Sequence, residues 1–276
     1  MNNHYQLDQG SIIYGIKSSK YPNIVCYGII ITASCDIANS KVSKYYYLLG
    51  IDVDEWLKSS HCFHYLFSKE IDEKIKTHTN VISNCKLDAE ALLSFSKEEV
   101  EKVIKEKVPQ KKQKIESAID FLRKAKQIST ITELSEIDIK AENKITGKLK
   151  EISQGREAHY YYLPKSAYLN SDKMDEGLII DLQEIGFILP EEANIIIRNK
   201  GIDSMVLSSL NSDLVESLKS TLFLEDDDSY VDVEGTINSP WREHLMQRFS
   251  QGFIRIGLDG ANDSDFKEIA KRTLGG

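Results

Sequence analysis

Ile24-Val25-Cys26-Tyr27-Gly28-Ile29-Ile30-Ile31-Thr32 is the stretch from which the fold is read. β-Branched and aromatic side chains fill it, and its length suits a buried strand rather than a membrane span. A second run of this kind, Ser11-Ile12-Ile13-Tyr14-Gly15-Ile16, precedes it across the turn-like segment KSSKYPN (residues 17–23). A third, Tyr45-Tyr46-Tyr47-Leu48-Leu49-Gly50-Ile51, follows. Three strands with short polar connections predict a meander or small barrel rather than βαβ units.

Beyond residue 53 the apolar period changes. Ser96, Glu99 three residues later, and the flanking pair Phe95 and Val100 form a capping box with a hydrophobic staple. Val100, Val103, Ile104 and Val108 recur at helical spacing until Pro109 breaks the pattern. A second helix carries Ile115, Ala118, Ile119, Leu122 and Ala125 on one face, and a third carries Ile145, Leu149 and Ile152 before Gly155. From residue 156 the pattern returns to strands, at 158–163, 177–182 and 205–210. Ser239 then reads as an N-cap before Pro240 at the first helical position. Trp241, Leu245, Met246, Phe249 and Phe253 form the apolar stripe of this last helix, and the tail beyond Gly260 is polar.

The fold class predicted is therefore α+β: a mainly antiparallel sheet or small barrel built from both ends of the chain, with a helical insertion and a C-terminal helix. In domain terms, residues 1–53 and 156–276 make one mixed β/α core, and 54–155 the insertion.

Composition bounds the function. The chain has 276 residues, 41% hydrophobic and 28% charged, with a formal net charge of −8, which argues against a general DNA-coating protein. No apolar run reaches the 18 residues of a membrane span, and the opening MNNHYQLDQG lacks a charged region followed by an apolar one. A cytoplasmic protein without a membrane partner is expected. Four cysteines in a chain of this length do not make a disulfide framework and read as reduced thiols.

Four groups of residues could carry chemistry. Cys35 and Asp36 stand where the central strand must leave the sheet, a position that is rigid yet reaches solvent. A carboxylate raises a neighbouring thiol's pKa, so a nucleophilic Cys35 needs a histidine from elsewhere, with His159 and His244 as candidates. The structural alternative has Asp36 capping a turn and Cys35 packed. Cys62, His64, His78 and Cys85 offer enough sulfur and nitrogen for zinc, yet their spacing is not that of a zinc finger, and no metal or other cofactor is expected. His244, Arg248, Gln251 and Arg255 form a polar row on the last helix. The row suits a ligand or partner, or an intramolecular pairing with the acidic run 225–228. Between Lys97 and Lys126 ten basic residues face six acids, without an aromatic platform for stacking on bases. These helices read as a partner-binding hairpin or, alternatively, a nucleic-acid surface.

GIIITASCDIANSK (residues 28–41), HYYYLP (159–164) and SPWREHLMQRFSQGFIRIGLD (239–259) resemble segments of a poorly characterised group of bacterial proteins of similar length. Members of that group are associated with mobile-element and phage-defence-like gene neighbourhoods. The resemblance rests chiefly on Cys35, Asp36, Ser239, Pro240, Arg248, Phe249, Arg255 and Gly257, and does not extend to the charged helices 94–128. It implies a bacterial cytosolic protein of that kind and carries no activity with it. The function expected is a non-enzymatic binding or regulatory component of an anti-phage defence or stress-response system. It would act through a protein partner or as a homo-oligomer. A cysteine- or zinc-dependent hydrolase using Cys35 is the alternative, and a nucleic-acid binder through 97–126 the second.

Overall fold

The computed structural model describes residues 7–39, 41–137, 139–169, 177–224 and 229–254. The three opening runs form β1 (Ser11–Ile16), β2 (Cys26–Ile30) and β3 (Tyr45–Asp52), with a short helix α1 (Ser34–Ala38) between the last two. Helices α2 (Val53–Lys58), α3 (Ser60–Ser83), α4 (Ala89–Ser94), α5 (Lys97–Lys107), α6 (Lys112–Ala125) and α7 (Glu142–Ser153) follow. The second half contributes β4 (Tyr160–Pro164), β5 (Tyr168–Leu169), β6 (Gly177–Ile188) and β7 (Asp232–Ile237). Its helices are α8 (Pro190–Asn199), α9 (Ser204–Ser208), α10 (Ser212–Thr221) and α11 (Trp241–Ile254). No helix among the described residues is long and apolar enough to cross a membrane.

Two units result. One comprises residues 1–17, 25–50 and 152–276, the other residues 18–24 and 51–151. The segment between β1 and β2 thus belongs with the helices, not with the strands it connects.

The first unit is built on an antiparallel sheet of order β4-β6-β3-β2-β1-β7-β5, in which β5 is only two residues and six strands curl into a half-barrel. Strands β3, β2 and β1 of the first part stand together at its centre and strands of the last part flank them on both sides, so both ends of the chain build it, as expected from sequence. Central β2 is buried along its whole length because both faces are covered. On the concave face Ile12, Tyr27, Ile29, Leu48, Leu178, Ile180 and Ile237 pack with Leu245 of α11, and Trp241, Met246 and Phe249 close over them. Leu245 is the fully buried member of the α11 stripe, while Trp241 and Phe249 are half-buried; the side chain of Phe253 lies outside the described residues. The helix starts at Trp241, one residue later than Pro240.

Two features bend the sheet. Gly15 has a φ of +95°, and the β1–β2 register shifts between Tyr14 and Ile16 beside it. An extra residue at such a point kinks the strand and increases its twist. The second lies in β6. Its even residues Leu178, Ile180 and Leu182 belong to the concave core, yet farther along Ile185 lies with Ile31 and Tyr46, and Phe187 meets the Tyr46 ring edge-on. Side-chain alternation in β6 therefore slips by one residue between Leu182 and Ile185.

The reason sits on the opposite face. A Cβ at Gly186 would fall 2.3 Å from the Tyr47 ring, and one at Gly28 3.1 Å from the same ring. Tyr47 thus lies across its neighbours over two glycines, with burial pushing its hydroxyl pKa up to about 12.

In the second unit Val100, Ile104, Ile115, Ala118, Ile119 and Leu122 close α5 and α6 over Ile82, Leu87 and Leu92. The capping box is present: the Glu99 carboxylate accepts from the Ser96 N–H at 2.8 Å and the Ser96 hydroxyl accepts from the Glu99 N–H at 3.3 Å.

One expected strand is corrected. Residues 204–208 are helical, because Asp203 accepts from the Val206 N–H at 2.9 Å and caps the turn, with Met205 exposed to solvent. A local cap outweighs the β-propensity of three apolar residues that have no sheet edge to join.

Gly186→Ala is expected to lower unfolding free energy by about 1–3 kcal/mol, the range for overpacking a filled site. A Cβ added at Gly147 in α7 would meet nothing within 4 Å among the described residues. Gly147→Ala is therefore expected to raise unfolding free energy by about 0.5–1 kcal/mol, the cost of a glycine in mid-helix. Urea denaturation of the two variants checks the pair.

Candidate functional site

Where β2 leaves the sheet, the chain folds into a frame around an open cleft of about 530 Å³. The Ile31 N–H donates to the Tyr46 carbonyl at 2.9 Å, and the Tyr46 N–H donates to the Thr32 hydroxyl at 2.7 Å, extending the β2–β3 ladder past the strand end. The α1 turn is closed by the Asp36 and Ile37 N–H groups on the Ala33 carbonyl, and the Lys41 N–H returns to the Asp36 carbonyl at 3.1 Å. Ile31, Asp36, Lys41, Lys44, Tyr46, Ile185 and Phe249 are among the side chains that line the cleft.

Its rim is apolar and wet. Tyr46, Ile185 and Phe187 are 46%, 45% and 40% exposed, and the Lys44 ammonium lies 3.5 Å over the Phe187 ring. Water-exposed side chains of this size side by side on a sheet mark an interaction surface more often than a scattered exposed leucine does. The slip in β6 produces this rim: Gly186 under Tyr47 turns Ile185 and Phe187 towards Tyr46.

The neighbouring sheet edge is open as well. β4 pairs with β6 from Tyr160 opposite Asp181 to Pro164 opposite Gly177, and the last ladder bond runs from the Leu182 N–H to the His159 carbonyl at 2.9 Å. There the ladder stops for a local reason. The His159 N–H, on the β6 side of the strand, donates to the Glu157 carboxylate at 3.3 Å instead of to β6, and the same oxygen accepts from the Ala158 N–H at 3.0 Å. Arg248 Nη2 donates to the Glu157 carbonyl at 2.7 Å, tying the chain ahead of β4 to α11. Among the described residues no strand covers β6 beyond Leu182 on that side.

The residues singled out from sequence divide between this region and others. Asp36 lines the cleft. Cys35 is exposed beside it, with its thiol 3.8 Å from Asp36 Oδ1 and its carbonyl accepting from Asn39 Nδ2. Neither candidate histidine hydrogen-bonds this thiol. His159 is exposed at the foot of β4, and His244 Nδ1 is 3.1 Å from the Tyr161 hydroxyl, with the rings edge to face.

The polar row on α11 has intramolecular partners. Arg248 adds Gln251 Oε1 at 3.1 Å to the Glu157 carbonyl, so what it holds is a backbone oxygen rather than an acid. Arg255 and the acidic run 225–228 lie outside the described residues.

Among the described residues no three of histidine, cysteine, aspartate and glutamate are grouped to hold a metal ion. The helix α3 explains how the candidates are parted. It buries Cys62, turns His64 to solvent, and carries His78 about four turns farther on. There His78 stacks on Phe121 at 4.1 Å. Burial pushes the Cys62 thiol up to about 12, away from the thiolate a metal requires.

Sequence reasoning misses Glu157, Tyr46, Ile185 and Phe187. The continuation Ile185-Gly186-Phe187-Ile188 is the available signal for a longer β6, since it keeps the strand-forming composition past residue 182.

Comparison of the chain with protein-family models, with curated proteins and with solved structures finds no match.

Two measurements check this geometry. Ellman's reagent is expected to titrate Cys35 in the native protein. Cys26 and Cys62, buried and each pushed up to about 12, are expected to react only on unfolding. Loss of the native reaction in Cys35→Ser assigns it. Arg248→Ala is expected to cost about 1–3 kcal/mol in urea unfolding, the range for a hydrogen bond from a charged donor.

Proposed function

We propose that the chain is a non-enzymatic binding component of a bacterial anti-phage defence or stress-response system, and that it acts by taking an extended segment of a protein partner along β6. The observation that carries this reading is the coincidence of an uncovered strand edge with an apolar rim. Three of the five large hydrophobic side chains exposed among the described residues, Tyr46, Ile185 and Phe187, sit at this one place. Strand addition draws affinity from main-chain hydrogen bonds and specificity from side chains that alternate into neighbouring pockets. The cleft beside Ile185 supplies such a pocket, with Phe249 and Ile31 as its apolar lining and Lys41 among its polar lining. The bacterial setting rests on the sequence resemblance alone.

The hydrolase alternative has less behind it. The Cys35 thiol has the Asp36 carboxylate as its hydrogen-bond partner and neither His159 nor His244, so the base that a nucleophilic cysteine needs is not in place.

Affinity isolation from native cells tests the proposal, comparing the unaltered chain with the double variant Ile185→Glu/Phe187→Glu. Both side chains are exposed, so the fold is expected to survive, as circular dichroism checks. A stoichiometric partner is expected with the unaltered chain and is expected to be lost with the variant, while Lys102→Glu on α5 retains it. An identical set of proteins with both chains, or none with either, overturns the proposal.

A further inference from the structure

We infer that the tip of the α5–α6 hairpin binds the phosphate backbone of duplex nucleic acid, independently of the partner proposed for β6. Residues 105–114 (KEKVPQKKQK) hold five lysines and one glutamate in a chain whose net charge is −8. The structure gathers them at one place. α5 ends at Lys107, a 3-10 turn spans Pro109–Lys111, and α6 starts at Lys112, so the lysines flank the turn from both sides.

Internal pairing absorbs little of this charge. Lys105 and Lys112 share one oxygen of Glu101, and Lys112 also approaches Glu116 at 3.7 Å. Lys107, Lys111 and Lys114 are exposed and pair with no carboxylate among the described residues, and Glu106 is the one acid between them and the neighbouring lysines.

Helix stability does not account for the arrangement. Lysines at the end of α5 complement that helix's dipole, but lysines in the first turn of α6 oppose theirs. α2, α3, α4 and α5 each begin on a capping side chain, from Asp52, Ser59, Asp88 and Ser96. α6 begins on Lys111 without one and has no acid in its first turn. A local rule broken at an exposed charged site points to a use outside the fold.

The chemistry of the tip selects the partner. It offers Val108, half-buried, and Pro109, but no aromatic side chain. Protein interfaces draw on aromatic anchors, and single-stranded nucleic acid is held by stacking on them. Lysines without either suit regularly spaced phosphates, read without regard to sequence. The want of an aromatic platform along these helices therefore excludes base stacking, not backbone binding.

The test is fluorescence anisotropy of the full chain with a labelled 24-base-pair DNA duplex of mixed sequence. Three to four neutralised phosphates give roughly 40- to 150-fold weaker binding between 50 and 200 mM salt. The variant Lys107→Glu/Lys111→Glu/Lys114→Glu is expected to abolish binding at 50 mM salt with its circular dichroism unchanged. Lys107→Gln/Lys111→Gln/Lys114→Gln is expected to retain the fold in any event and to reduce the salt slope by about three. Absence of duplex binding at 50 mM salt, including a case where phosphatidylserine vesicles capture the chain instead, overturns the inference. So does unaltered binding by either triple variant, or competition by polyglutamate as effective, charge for charge, as by unlabelled duplex.

Discussion

The ring of Tyr47 occupies the space that a side chain at position 186 would take, and the arrangement of the sheet's functional end follows from that contact. It locks β6 against β3 in one register, because a shift by one residue would bring Ile185 or Phe187 under the ring. It also dictates direction. With Gly186 on the Tyr47 face, its two neighbours must project from the other face, beside Tyr46. The apolar rim is thus the reverse side of a packing constraint, and the slip in β6 alternation is what reconciles that constraint with the regular core at Leu178, Ile180 and Leu182.

A second local device decides how much of β6 stays uncovered. The His159 N–H that would continue the β4 ladder goes instead to the Glu157 carboxylate, which also takes the Ala158 N–H, while Arg248 holds the Glu157 carbonyl. Unpaired strand edges invite association, and proteins usually blunt or cover them. Here the chain is drawn off the edge by specific hydrogen bonds. That links Arg248, visible in the sequence as part of a polar row, to the site through position and not through ligand contact.

Charge is distributed on a different logic. The acid excess of the whole chain coexists with lysine pairs already neutralised along α5 and α6, such as Lys124 with Asp120 and Lys105 with Glu101. Among the lysines these pairs leave over, Lys107, Lys111 and Lys114 stand together at the hairpin turn. Exposed pairs of this kind contribute little to stability and are readily screened, so their value lies in which charges they leave unpaired.

The strands at 11–16, 26–30 and 45–52, the capping box at Ser96 and the apolar face of α6 are legible in the sequence, because each rests on spacing and composition within a few residues. α3 is harder to read as a helix, since Cys62, Phe63, Leu66 and Phe67 fall on one face among histidines that suggest ligands instead. The short α9 reads as a strand because a single side chain, Asp203, outweighs the propensity of its neighbours. Asp36 is legible at the strand end, but nothing local tells that Asp36 and not Cys35 borders a cleft. Sequence by itself determined the fold class, the use of both chain ends in one sheet, and the charge of the hairpin, all properties that short-range patterns encode. The tertiary structure alone decided the cleft, the open edge of β6 and the partners of Arg248, because these join residues such as Tyr47 and Gly186, or Glu157 and Arg248, that are far apart in the chain and meet only when the sheet closes.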